Sequence, residues 1–326
     1  MHVSGAVGRR AGLPVPVIAP MMPSEEGVMA NRHAGRLADI FKHLALAALL
    51  DVQRPALYAE THAGNAVYPE QAPAPGTVPA PRDPMTERVH GVARFLDAMD
   101  RDPRLGDSAY GRILREHITG SATIPGSPAV AMGVLRDHAT YLLCDVDPRS
   151  TADIERWAVT VGLGDRVATV TADGMRAVAR RVLGGSADPS STFVHVDPYD
   201  PLAPGDGGVS ALALTRSLIS DGIAVMYWYG FDTPAHAAWA ADELAGDVPL
   251  WCGVAMVTDA DGATRDDGDL GAATTPGTGS GVVCANVTGD ATSRCEALGR
   301  ALADGYVGVP LPSGEPGGLA FEVVRT

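Results

Sequence analysis

The chain is nearly without lysine. Of its 25 basic residues, 24 are Arg and one, Lys42, is Lys. Arg serves most ion-pair positions, but it cannot stand in for a compact ammonium at a tight point-charge site. Lys42 is therefore the basic residue expected to mark such a site. Cysteine is scarce too: Cys144, Cys252, Cys284 and Cys295 contain no CxxC pair, and three lie in or beside apolar runs. They read as buried, reduced thiols of a cytoplasmic protein and argue against disulfides and metal ligands. No apolar run reaches the ~18 residues of a membrane span. Positive charge is in deficit, with a formal net charge of −14. A nucleic-acid binder usually presents a basic face, because neutralising phosphates supplies most non-specific affinity. The average field here would repel RNA or DNA. Two phosphate signatures are also missing, GxxxxGK[ST] and a GxGxxG after the first strand, which disfavours P-loop enzymes and dehydrogenases.

What is present suits a large α/β protein. The 326 residues are 46% hydrophobic, enough for a sizeable core, and include 38 Gly and 25 Pro. Residues 1–29 contain Arg9-Arg10 and a Pro-broken apolar stretch without a continuous signal-like core, so they read as a disordered extension. Residues 30–326 then form the main domain, with 69–122 as a helical insert.

The organising stretch is Tyr58-Ala-Glu-Thr-His-Ala-Gly-Asn-Ala-Val-Tyr68. A buried strand over 55–59 runs into a small-residue turn where Gly64 lets a ligand approach the backbone. Ahead of it the spacing predicts a helix over 31–53, with Asp39, Lys42 and His43 on one face. Behind it come a Pro-rich loop over 71–84 and amphipathic helices over 89–99 and 109–117. The turn Ile124-Pro-Gly-Ser-Pro128 leads into a helix over 129–138 and leaves backbone N–H groups and the Ser127 hydroxyl free to bond a ligand. Strands are expected over 140–145, 166–171, 192–197 and 222–229, separated by helices over 154–161, 174–183 and 208–220. Late strands over 249–257 and 281–286 and a helix over 292–302 follow. Alternating β and α units imply a mostly parallel sheet of about seven strands, covered on both faces.

The strand ends carry acids in order: Glu60, Asp145, Asp173, then Asp197-Pro198-Tyr199. Ligands of a doubly wound sheet bind outside the carboxyl ends of its strands. A carboxylate after the second strand can accept ribose hydroxyls, and one after the third can reach an adenine amine. An acid followed by Pro and an aromatic suits a flat, stacking acceptor. The pattern fits S-adenosylmethionine (SAM) better than a phosphate ligand.

The motifs also resemble a family. His33-Ala-Gly-Arg-Leu-Ala-Asp-Ile-Phe-Lys-His43 resembles the HAGNxADVxKH opening of the RlmJ-type 23S rRNA (adenine-N6) methyltransferases. Thr61-His-Ala-Gly64 resembles their DTHAGAG turn, Ile124 to Pro128 their YPGSP, and Leu143 to Pro148 their E-x-H-P segment, with Asp145 in place of Glu. The resemblance runs from about His33 to Asn286. It implies a Rossmann-like SAM-dependent methyltransferase with a helical insert. By position it implies Lys42, His43, His62, Gly64, Ser127, Asp145, Asp173 and Gly174 around the cofactor, and Asp197, also at the cofactor, as the catalytic acceptor. The aromatic after Pro198, Tyr199, is expected to stack on the substrate.

The substrate side departs from the family. DPPY is here Asp197-Pro198-Tyr199-Asp200, the late NPPW reads Asn286-Val-Thr-Gly289, and the Tyr-Arg-His before the first motif has no counterpart. With the negative charge, this favours N-methylation of a small flat acceptor. Adenine-N6 methylation of 23S rRNA is the second expectation, and SAM binding without catalysis a third. Oligomeric state stays open.

Overall fold

The first described helix, α1 (Leu37–Gln53), is buried from Leu37 to Leu50 except at Asp39. Its apolar residues therefore surround the helix, as expected of one running through the core and not along the surface. It starts six residues later than the spacing predicts. Gly35 has a φ of +89°, and Arg36 is extended, so the chain cannot be helical there. Asp39 accepts the Gly35 and Arg36 N–H groups (3.1 and 3.3 Å), which satisfies donors that the helix start leaves free. The computed structural model describes residues 34–70, 88–185, 187–198, 205, 208–259, 262–263, 278–310 and 316–324. The expected extension over 1–29 and the Pro-rich loop over 71–84 lie outside the described residues.

After α1 come β1 (Leu57–Glu60) and β2 (Val67–Pro69). A π-turn (Val89–Ala93) enters α2 (Arg94–Arg101), and α3 (Ala109–Ser121) leads to β3 (Thr123–Pro125). β2 and β3 pair antiparallel, Val67 with Pro125 and Tyr68 with Ile124, so the segment between them leaves and rejoins the fold at one ribbon. Phe95, Ala98, Tyr110 and Leu114 from its helices are fully buried in the same core as α1. Next are α4 (Ser127–Leu135), β4 (Thr140–Asp145), α5 (Pro148–Thr160), β5 (Val167–Thr171), α6 (Gly174–Val178) and β6 (Thr192–Val196). The chain ends through α7 (Ala211–Ser220), β7 (Ala224–Phe231), α8 (Trp239–Leu244), β8 (Leu250–Asp259), β9 (Gly279–Ala285), α9 (Gly289–Gly305), β10 (Val309–Pro310) and β11 (Pro316–Val324).

Nine strands form one sheet in the order β10-β11-β8-β9-β7-β6-β1-β4-β5. β5, β4, β1, β6 and β7 pair parallel. β9 is reversed between β7 and β8, and β11 is reversed between β8 and β10, so seven of the nine run the same way. The expected α/β class and mostly parallel direction hold. The sheet exceeds the expected seven strands by β10 and β11, which extend its edge beyond β8. β1 sits where the order turns, with β4 on one side and β6 on the other. This is the switch point at which such sheets bind ligands.

One face of the sheet packs Tyr58, Tyr141 and Phe193 against α1. The other packs Ala59, Val194 and Val196 against α7. Among the described residues, no helix is long and apolar enough to cross a membrane.

Candidate active site

Five segments meet at the carboxyl end of β1. The turn after β1 carries His62 and Gly64, and Gly64 has a φ of +62°, a conformation that L side chains rarely adopt. Its N–H donates to Asp145 at the end of β4 (2.8 Å), and the other Asp145 oxygen accepts the Asp147 N–H (2.8 Å). Asp173 caps α6 by accepting the Met175 and Arg176 N–H groups (2.8 and 3.2 Å). Gly174 then lies so close to the turn that a Cβ there would sit 1.9 Å from the Thr61 carbonyl oxygen. His62 pairs through Nδ1 with the Thr61 hydroxyl (2.8 Å), and burial lowers its pKa despite the acids nearby.

Lys42 reaches across from α1 to the end of β6. Its Nζ donates to Asp197 Oδ2 at 2.7 Å and lies 3.4 Å from Asp39 Oδ1. It also sits 5.3 Å from the centre of the Trp228 ring, within cation–π range. Burial alone would lower the Lys42 pKa, but Asp197 and Asp39 outweigh it and hold the ammonium charged. Burial alone would raise the Asp197 carboxyl, but Lys42 and His195 outweigh that and keep it below the usual range. Lys42 thus anchors an ionised carboxylate where β6 ends.

Two expected site residues point elsewhere. The Ser127 hydroxyl, at the first turn of α4, donates to Glu60 Oε1 at 2.5 Å. His43 packs beside the Tyr110 ring of α3 (5.7 Å between centres), and its Nδ1 has no partner among the described residues. Burial, then the neighbouring Lys42 charge, lowers its pKa to about 3, so it is neutral near pH 7. Tyr199 lies outside the described residues.

Residue usage singled out Lys42, and strand-end reasoning singled out Glu60, Asp145, Asp173 and Asp197, but neither pointed to the pairing of Glu60 with His195. Glu60 and His195 face each other in the β1–β6 register and are both 0% exposed, with His195 Nδ1 2.9 Å from Glu60 Oε1. Tyr58 donates to Glu60 Oε2 at 2.9 Å. A signal was there to read: His195 is a polar residue inside an apolar strand run, two positions before Asp197.

Sheet order, switch point and acidic strand ends define a Rossmann-like α/β fold. Among solved structures, protein LPL1258 from Legionella pneumophila superposes with a TM-score of 0.64 at 16% identity, covering 90% of this chain and 98% of that one. A SAM-dependent methyltransferase from Agrobacterium tumefaciens aligns over 48% of this chain and 53% of that one, at 15% identity and a TM-score of 0.33. In sequence, the chain is 31% identical to the ribosomal RNA large subunit methyltransferase J of Escherichia coli strain K12 over 126 residues, 36% of this chain. That match spans 40% of the relative's length. No protein-family model matches.

Proposed function

We propose that the chain is a SAM-dependent methyltransferase that methylates a nitrogen of a small, flat acceptor. The carrying observation is the ionised Asp197 at the end of β6, fixed by Lys42 at 2.7 Å beside the turn after β1. The residues present suit SAM. Asp145 spends one lone pair of each oxygen on backbone N–H groups and keeps others for ribose hydroxyls. Asp173 stands one strand further out for the adenine amine, and Gly64 and Gly174 let backbone come close. His62 lies between them, and Ser127 supports this pocket through Glu60.

When bound, SAM supplies an electrophilic methyl group on a sulfonium. The transfer needs in-line placement more than strong acid–base chemistry. Asp197 orients the acceptor amine by accepting its hydrogen bond, and Lys42 keeps that carboxylate aimed. Phe95, Ala98, Tyr110 and Leu114 tie the described part of the insert, residues 88–122, into the same core as α1. The four cysteines are free and buried, in keeping with a reducing, cytoplasmic setting.

The net charge of −14 favours a small acceptor over RNA. Methylation of rRNA is the second reading, because the partial relative is named for that activity. Incubating the protein with methyl-labelled SAM and either free adenosine or a 23S rRNA fragment separates them. We expect label on adenosine. Label on the rRNA fragment alone, falling steeply with salt, would move the reading to RNA. Label on neither, with SAM tightly bound, would make the chain a SAM-binding protein without catalysis.

A further inference from the structure

Beside Asp197 stands an aromatic that strand-end reasoning did not single out. β7 lies inside the sheet, between β6 and β9. Its residues Ala224 to Tyr227 and Tyr229 are buried, but Trp228, the largest side chain on the strand, is only half-buried. A side chain in the middle of a sheet stays half-open only where the covering elements leave room. The cover of the sheet is therefore open at Trp228.

Strand register ties that opening to Asp197. Val196 pairs with Tyr227, so the next residues on these neighbouring strands are Asp197 and Trp228. Side chains alternate along a strand. Tyr227 packs on the α7 side of the sheet, and Trp228 packs on the other side, against the core that contains α1. Lys42 comes from α1 to join the two. Its Nζ is 2.7 Å from Asp197 Oδ2 and 5.3 Å from the centre of the Trp228 ring. One ammonium thus holds the carboxylate and the indole as two sides of a single corner.

That corner has the chemistry of a flat ligand's seat. Trp228 Nε1 is buried and has no partner among the described residues, so the open part of the indole is carbon. Such a surface offers stacking and dispersion, and Asp197 next to it offers a hydrogen-bond acceptor. A two-ring heteroaromatic of purine type uses both: its rings cover the indole while its N–H reaches the carboxylate. Core packing alone does not account for Trp228. A Phe or Leu would fill a core position without burying an unpaired N–H, which costs stability.

We propose that Trp228 is an acceptor-binding residue: a purine-type acceptor stacks on its open ring surface with the nitrogen to be methylated on Asp197. The proposal rests on the methyl-transfer reading above and adds the surface that selects a flat substrate.

The test follows tryptophan fluorescence of the full chain as adenosine is added. S-adenosylhomocysteine saturates the cofactor pocket, so that adenosine cannot enter it. Trp228 is one of four Trp, and Trp228→Phe removes its signal while the others remain. We expect adenosine to quench wild type and to leave the Phe variant nearly unchanged. Transfer kinetics give a second readout. Trp228→Leu should raise the KM for adenosine by about 5–150-fold, the span that base–aromatic stacking supplies, with SAM affinity within about threefold of wild type. Trp228→Phe, which keeps a ring, should recover part of that loss. No quenching of wild type, equal quenching of the Phe variant, or an unchanged KM in the Leu variant would each overturn the role of Trp228. A fall in SAM affinity that matches the fall in transfer would also overturn it, by making Trp228 a packing residue. Wild type that binds no SAM would overturn the methyl-transfer reading, whereas wild type that binds SAM and ignores adenosine overturns the Trp228 inference alone.

Discussion

Asp197→Ala should lower methyl transfer by about 10²–10⁴-fold, the range expected for losing a positioned acid–base group. SAM affinity should stay within a few-fold. Asp197 ends β6 and spends Oδ2 on Lys42. Asp145 and Asp173, which suit the cofactor, end β4 and β5. Folding should survive, because Lys42 keeps Asp39 as a partner at 3.4 Å. Single-turnover kinetics beside a SAM titration reads both quantities. Equal loss of transfer and affinity would reassign Asp197 to the cofactor.

The second large effect is on stability. Lys42→Met should destabilise the fold by about 3–5 kcal/mol at pH 7, the usual result of removing one partner from a buried charge pair. The side chains involved are 11–17% exposed, so solvent screens them little. Two carboxylates, Asp39 and Asp197, would lose their shared cation. The effect has a sign in pH. Both carboxyls are held below their unfolded values in the native chain, burial opposing and Lys42 prevailing. Their contribution is full above the unfolded carboxylate range and fades as pH falls through it. In the Met variant Asp197 loses its cation and Asp39 keeps only Arg36 at 3.9 Å, so both carboxylates gain by protonation and the penalty should shrink as pH drops towards 4. Urea unfolding at pH 7 and pH 4.5 checks this, and a constant penalty would mean that packing, not charge, is what Lys42 supplies. Lys42→Arg should not restore the wild-type value, because a forked guanidinium cannot occupy a point 2.7 Å from Asp197 while lying over Trp228.

How much of this was legible in the chain follows from the range of each interaction. The run over 140–145 matched β4 residue for residue, because a fully buried parallel strand is a continuous apolar run bounded by turn residues. α1 was legible by spacing, and its start was misjudged only where Gly35 takes a positive φ. Lys42 stood out by residue usage alone. Local pattern could not reveal β11, where Gly317 and Gly318 interrupt the apolar signal and pairing with β8 supplies the order. Nor could it reveal the Glu60–His195 pair, which joins positions 135 residues apart through β1–β6 register. Ser127 illustrates the same limit. A hydroxyl at a helix start is free to bond a ligand until the fold brings Glu60 within 2.5 Å.

The account stands most directly on cofactor binding. Calorimetric titration of SAM into the full-length chain is the measurement, with the Asp197→Ala variant beside it. One site per chain with a micromolar Kd, little changed in the variant, is the predicted result. No heat of binding up to high micromolar SAM would contradict it.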